Sequence, residues 1–205
     1  MTDDLATFDD ALTMRHTRVF PHPIELVWEA VSQGEHLETW LLPVSRVDPR
    51  LGGEFLFTWG SPEGTEGQST GTIDEFDPPR AIRYREGDGY LKFELEPVDG
   101  GTRLHFIQHF APGAGLTPAD YPGSDQPAGP TSPWRPGFCA GFHNFLDALG
   151  EFLAGKLTIE QQRSFIEAVH SGDFTGDFPP HASREREAEL TDFYRAHIAQ
   201  NCPSV

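Results

Sequence analysis

With 205 residues, the chain is long enough for one well-filled core and a short appended segment, but not for two full domains. Its 15 Lys and Arg residues against 32 Asp and Glu residues give a net charge of -17, which repels polyphosphates and anionic lipid surfaces and argues against nucleic-acid or membrane binding. Two cysteines are too few for a disulfide scaffold, and there is neither a secretion signal nor a run of roughly 18 apolar residues, so we expect a cytoplasmic protein.

The N-terminal elements are predicted to be one strand and two short helices. Apolar residues toward both ends of residues 12–20 favour a strand. A helix is expected over residues 23–33, because Pro23 suits a first helical turn and apolar residues recur at helical spacing up to Gly34. A second short helix over residues 35–42 shows the same spacing and stops before a proline.

The middle of the chain has the pattern of an antiparallel sheet. Short turns rich in Gly and Pro separate the strands, and connections this short permit only antiparallel neighbours. Apolar and charged residues alternate: Leu91, Phe93 and Leu95 are separated by charged side chains, so one face of the sheet is buried and the other is wet. The predicted strands cover residues 44–49, 53–59, 69–77, 80–86, 90–97 and 101–110.

The last part of the chain combines a loop, a long helix and a helical tail. Ten of the 23 residues 111–133 are Gly or Pro, which predicts a long irregular loop, a candidate lid. Residues 134–156 show an apolar stripe at helical period and are expected to form the helix that covers the sheet. Residues 158–170 and 182–199 are predicted helices of an extension that docks on the domain, or on a protein partner or second copy of the chain.

Five segments together resemble a known family. They read RVFPHPIELVWEAVSQGEHLETWL, LGGEFLF, GTIDEFDPPRAIRY, LEPVDGGTRLHF and FCAGFHNFLDALGEFLAG. In this order and at these distances they are similar to the START-like, Bet v allergen-like superfamily, also called SRPBCC, and within it to the Hsp90 ATPase activator homologue family, over about residues 12–155. The resemblance implies an α+β helix-grip domain over residues 12–156, in which a curved antiparallel sheet wraps a long C-terminal helix, followed by an extension at 157–205.

The resemblance also implies a cavity between sheet and helix for a small apolar molecule. Interiors of this kind bind apolar ligands oriented by a few polar groups, although the same rings could simply fill the core. Gln108 and His143 are the polar groups in register with the apolar faces, and each is expected more often to find a partner within the protein than on a ligand. The candidate ligand-binding residues are Trp40, Phe57, Trp59, Tyr84, Phe93, Phe106, Gln108, Phe138, Phe142 and His143.

Other chemistry has little support in the sequence. His105 and His109 are separated by about 13 Å at the rise of a strand, so they do not predict a metal site. Nucleophile-elbow and nucleotide-binding motifs are absent, and we assign no catalytic residue, metal or cofactor. Two alternatives to ligand binding stay open: an interaction module for a chaperone or stress-response partner, and a cavity enzyme of the polyketide cyclase or hydrolase type, with acid/base candidates Glu75, Tyr84, His109 and His143.

Overall fold

The computed structural model describes residues 5–58, 68–111, 135–164 and 184–202. Within them, eight strands form one antiparallel sheet in the order β1-β2-β8-β7-β6-β5-β4-β3. The strands are β1 Thr7–Phe8, β2 Thr13–Phe20, β3 Val44–Val47, β4 Glu54–Thr58, β5 Gln68–Asp77, β6 Ala81–Glu86, β7 Gly89–Val98 and β8 Gly101–His109. The helices are α1 Ile24–Ser32, α2 Gly34–Trp40, α3 Arg135–Leu153 and α4 Arg184–Asn201, and residues 159–164 are also helical.

The order of the strands explains the architecture. After β2 the chain passes through α1 and α2 to the opposite edge of the sheet, and from β3 it returns strand by strand until β8 pairs with β2. The sheet is open and curved, and α3 follows it, which confirms the predicted α+β helix-grip fold.

Period-two patterning determines which face of the sheet is buried. On β7, Leu91, Phe93 and Leu95 are all at most 8% exposed. The register places Phe93 opposite Phe106 and Leu95 opposite Leu104 on β8, so apolar side chains of neighbouring strands meet on one face. This face packs against α1 and α3, as the alternation predicted.

The other face carries ion pairs that the alternation alone does not explain. A register shift between Ile73 and Glu75 lets Asp74 and Glu75 both pair with cations of the outer surface. Asp74 accepts hydrogen bonds from Arg83 and also pairs with Arg85. Although partial burial opposes ionisation, these guanidinium groups lower the pKa of Asp74 below its usual value.

The helices α1 and α2 are fixed to the interior by two side-chain hydrogen bonds to the backbone of α1. Trp40 Nε1 donates to the Ala30 carbonyl at 2.8 Å, and the Tyr84 hydroxyl donates to the Val31 carbonyl at 2.9 Å. Both side chains are at most 1% exposed, and burial raises the pKa of Tyr84 well above its ordinary value. Each ring therefore packs inside without leaving a buried polar atom unsatisfied.

The C-terminal helix α4 lies against α3 and against the start of the chain. Tyr194 and Ile198 are at most 3% exposed. The Tyr194 hydroxyl accepts the Ala6 N–H at 3.2 Å, and His197 Nε2 lies 2.7 Å from the Ala6 carbonyl oxygen. The predicted helix at 182–199 is thus present and contacts the rest of the fold. The boundary between a domain ending at residue 156 and an extension beginning at residue 157 stays a prediction.

Two features differ from the sequence-based predictions or fall outside them. The short strand β1 was not predicted, because its residues lie in an acidic stretch, yet it pairs Phe8 with Met14 on β2. The candidate lid at 111–133 lies, apart from its first residue, outside the described part of the chain, as do Trp59 and residues 165–170 of the helix predicted at 158–170, of which residues 159–164 are helical.

We predict that Tyr84→Phe lowers the free energy of unfolding by about 1–3 kcal/mol, because the buried Val31 carbonyl loses its donor while the ring is kept. Urea denaturation of both proteins measures this. Tyr90→Phe is the matched control: its ring stacks on His109 on the outer face, and its change should stay within about 0.5 kcal/mol. Equal effects of the two substitutions would contradict the anchoring role of Tyr84.

Candidate ligand site between the sheet and the long helix

The interior between the sheet and α3 is lined by a continuous series of aromatic rings. Successive ring centroids lie between 4.8 and 6.3 Å apart, within the range of favourable ring contacts. The series passes from β4 across the buried face of the sheet to α3 and then returns to the chain just beyond β8. We call it the aromatic row: Phe57, Tyr84, Phe93, Phe106, Phe142, Phe138 and Phe110.

Most of the predicted ligand-binding residues belong to this row or touch it. Phe57, Tyr84, Phe93, Phe106, Phe138 and Phe142 are members of it. Trp40 contacts it through Phe93, with ring centroids 6.0 Å apart. The polar atoms of Trp40 and Tyr84 are already bonded to α1, so these two residues present only their rings to the interior.

Gln108 and His143, the two predicted polar contacts, both have partners within the protein. Gln108 is half-buried, and its Nε2 donates to the His109 carbonyl at 3.1 Å. His143 is 8% exposed, and its Nδ1 is hydrogen-bonded to the Tyr194 hydroxyl at 3.1 Å. Of the two, only His143 lies at the junction of the sheet, α3 and α4.

His16, which was not predicted as a site residue, lies next to His143. His16 is fully buried on β2, with its ring centroid 6.2 Å from that of His143 and 6.1 Å from that of Tyr194. It also lies 6.5 Å from Phe106, so this polar cluster of His16, His143 and Tyr194 borders the aromatic row. The signal was present in the sequence, because His16 is in period-two register with the buried Met14 of β2.

Arg135 is a second residue of the site that was not predicted from the sequence. It is the first residue of α3 and is fully buried, and its Nη1 donates to the Ala11 carbonyl. The guanidinium carbon lies 5.0 Å from the ring centroid of Phe8 and 6.0 Å from that of Phe110. Arg135 therefore stands at the Phe110 end of the aromatic row.

Two of the proposed acid/base candidates face away from the interior. Glu75 pairs with Lys92 at 2.9 Å on the outer face of the sheet. His109 Nδ1 is 2.8 Å from the Thr13 hydroxyl, and the His109 ring stacks on Tyr90 at 5.1 Å. The geometry therefore separates both residues from the aromatic row.

The described part of the chain contains neither a candidate metal site nor a reactive thiol at Cys139. No group of three or more His, Cys, Asp or Glu side chains there could hold a metal ion. Burial raises the pKa of the Cys139 thiol to about 12, so this thiol is protonated at neutral pH and unreactive. Of the helices that the structure describes, none has the length and apolar character to cross a bilayer.

A charged pocket lies at the other end of α3, where β2 and α4 meet it. It has a volume of about 510 Å³ and is open to solvent. Asp147 bridges β2 and α4 there: Arg18 donates to it at 2.7 Å, and Arg186 of α4 pairs with its second oxygen. Although burial opposes ionisation, the two guanidinium groups lower the pKa of Asp147. The lining residues are Arg18, Phe20, Asp147, Gly150, Glu151, Ala154, Lys156 and Arg186.

An antiparallel sheet wrapped on a late helix, with two short helices inserted after the first long strand, defines the helix-grip class of proteins. The sequence model of the family described as activator of Hsp90 ATPase homolog 1-like protein matches residues 21–154. The chain belongs to this family, as its resemblance predicted.

Solved structures show the same fold at low sequence identity. A conserved protein of unknown function, EF2215 from Enterococcus faecalis, is 14% identical with a TM-score of 0.60, over 96% of this chain and 91% of that one. The solution structure of CalU16 from Micromonospora echinospora is 20% identical with a TM-score of 0.58, over 93% and 88%. An AHSA1-like protein from Aeromonas hydrophila is 20% identical with a TM-score of 0.51, over 70% and 93%. A comparison with curated proteins gave no match.

We predict that Asp147→Asn destabilises the protein at pH 7 by about 1–2 kcal/mol, because the charge that bridges β2 and α4 is lost. Since the folded-state pKa of Asp147 lies below its usual value of 3.8, its stabilisation is complete above that value. It is lost as the pH falls through the lower, folded-state pKa.

Urea denaturation of wild type and Asp147→Asn, repeated at decreasing pH from 7, measures the difference, which should shrink toward acidic pH. Asp192→Asn is the control, because Asp192 is exposed and pairs only with Arg195 one turn away among the described residues. A pH-independent difference would show that the charge of Asp147 does not stabilise the junction.

Proposed function

We propose that the protein binds a small apolar molecule in the interior between the sheet and α3. The observation that supports this is the combination of the aromatic row with the polar cluster of His16, His143 and Tyr194 at its border. Ligand sites in proteins are mostly apolar and aromatic, with a few converging polar groups that orient the ligand. Membership of the family supports a ligand-binding domain in general.

The buried polar groups favour this function over a purely structural core. Aromatic side chains alone would fill the gap between sheet and helix, and desolvating a polar side chain costs free energy that desolvating an apolar one does not. His16, Tyr194 and Arg135 are nevertheless completely buried, and His143 nearly so. An interior that maintains such groups beside a row of rings suits an apolar molecule with polar substituents.

We propose that the ligand reaches the interior by a route beneath α4 and β1. Tyr194 holds both elements, because its ring is buried against α3 and its hydroxyl accepts the Ala6 N–H. The strand β1 has only two residues, so little backbone pairing opposes its displacement. The lid that the sequence predicts at 111–133 stays a separate proposal.

Proton transfer on a bound ligand is a second candidate function. His143 Nδ1 and the Tyr194 hydroxyl are hydrogen-bonded at 3.1 Å, and His143 follows Phe142 of the aromatic row in the chain. A neutral imidazole bonded to a phenol can accept or donate a proton in such a site.

We also infer a reducing compartment such as the cytoplasm, in which Cys139 and Cys202 remain free thiols.

We predict that an apolar probe raises the melting temperature of the protein. With decanol and 1-naphthol as probes, ligand at about one hundred times the dissociation constant should add about 5–10 °C to the midpoint, rising with the logarithm of concentration. Phe142→Leu should weaken binding about tenfold, because Phe142 joins the sheet part of the aromatic row to α3.

The matched control is Leu51→Ala, at a side chain that is 64% exposed in the turn before β4. Differential scanning fluorimetry with all three proteins makes the comparison, and the control should keep the wild-type shift. Absence of any shift with both probes, or equal shifts in wild type and Phe142→Leu, would refute binding in this interior.

To test turnover, His143→Gln is compared with wild type by mass spectrometry of any probe that binds. Loss of product in the variant with retained binding would support proton transfer by His143. Unchanged probe in the presence of wild-type protein would leave binding as the function and remove the catalytic one for that probe.

A further inference from the structure

Two nitrogen atoms of the Arg135 guanidinium group have no hydrogen-bond partner among the residues that the structure describes. The side chain is fully buried, and Nη1 donates to the Ala11 carbonyl. In the part of the chain that the structure describes, Nε and Nη2 have no hydrogen-bond partner. A buried, ionised donor pair without acceptors is costly and rare in folded proteins.

Other arginines of the chain show what this edge of the guanidinium binds. Nε and Nη2 of Arg83 donate to the two carboxylate oxygens of Asp74, at 2.7 and 3.2 Å. Nε and Nη2 of Arg15 likewise donate to Asp9, at 3.2 and 2.8 Å. The same pair of donors thus binds a carboxylate in both surface arginines, whereas in the more deeply buried Arg135 it contacts no acceptor in the described ranges of the chain.

The contacts of Arg135 with rings do not replace a carboxylate. Phe8 and Phe110 lie 5.0 and 6.0 Å from the guanidinium carbon, so their ring faces offset part of the cost of burying the charge. Rings accept no hydrogen bonds of the strength that the edge donors make with an anion. A negative charge on a ligand would also be favoured by the N-terminus of α3, which begins at this residue.

We propose that the Nε and Nη2 edge of Arg135 binds the carboxylate of the ligand. The ligand is then an amphipathic carboxylate whose apolar body lies along the aromatic row, starting at Phe110 and Phe138, whose rings are 5.4 Å apart. The inference rests on the proposed function and narrows it to a chemical class. Planar, bidentate pairing of a guanidinium with a carboxylate provides orientation as well as affinity.

Entry of such a ligand requires local opening at β1, because Arg135 has no exposed surface in the closed structure. Phe8 of β1 covers the guanidinium, and α4 holds the start of β1 through Ala6. Displacement of these few contacts exposes the edge donors while strands β2 to β8 and α3 remain in place.

The experiment compares two probes with the same alkyl chain, decanoate and decanol, by isothermal titration calorimetry at pH 7.5. For each protein we take the ratio of the dissociation constant of decanol to that of decanoate. Because the two probes differ in solubility by the same amount in every experiment, this difference cancels when the ratios of two proteins are compared. The variants are Arg135→Met, Arg135→Lys and the control Arg83→Met, which removes an edge that a carboxylate of the protein already occupies.

We expect Arg135→Met to reduce the ratio by about tenfold to a hundredfold, the effect of losing one charge-assisted bidentate contact. Arg135→Lys keeps the positive charge but lacks the bidentate pair of donors, so it should give an intermediate ratio. It also serves as the second variant if Arg135→Met fails to fold. Arg83→Met should keep the wild-type ratio.

Two results would overturn the inference. If decanol binds but the ratio is the same in wild type and both Arg135 variants, Arg135 does not bind carboxylates, while apolar ligand binding stands. If neither probe binds to wild type, the carboxylate inference and binding of alkyl ligands fail together.

Discussion

The structure depends on one requirement, that the apolar face of the sheet be covered by α3. The contact between Phe106 of β8 and Phe142 of α3, with ring centroids 4.8 Å apart, joins the two layers. Phe93 stacks on Phe106 and extends the contact across the sheet toward Tyr84. Rings of this size bury roughly 150–250 Å² each, so a few of them supply much of the driving force for folding. The same rings make the interior suited to an apolar ligand.

The remaining elements close the two sides of this interior through hydrogen bonds made by polar aromatic side chains. On one side, Tyr84 and Trp40 donate to carbonyl groups of α1 and hold α1 and α2 in place. On the other side, Tyr194 of α4 links His143 to Ala6. The first closure belongs to the region 21–154 that matches the family, whereas the second is made by α4 and the N-terminal segment outside that region. The entrance that we propose is therefore built largely by segments outside the matched region.

Local patterns in the sequence were sufficient to predict the sheet, its buried face and α3. Alternation around Phe93 and the helical stripe through Phe142 depend on nearest neighbours along the chain, and both were confirmed. The burial of Arg135 could not be read in this way, because a charged residue at a helix start is normally solvated. It is buried by contacts with Phe8 and Ala11, more than 120 positions away, which no local pattern encodes. His16 is intermediate: its register on β2 was readable, but its neighbours on α3 and α4 were not.

The side chains that line the interior affect how strongly a ligand can bind. The ligand must compete with the ring contacts and with the contacts of β1 and α4, so the apparent affinity is the intrinsic affinity multiplied by the fraction of molecules that are open. Purely apolar ligands recover little in this competition, since they replace one apolar contact by another. A ligand that also binds the Nε and Nη2 edge of Arg135 gains an interaction that this edge does not make with any described residue. Such a group gives the ligand the differential affinity for the open state that binding requires, which is a physical reason for keeping a costly arginine in the interior.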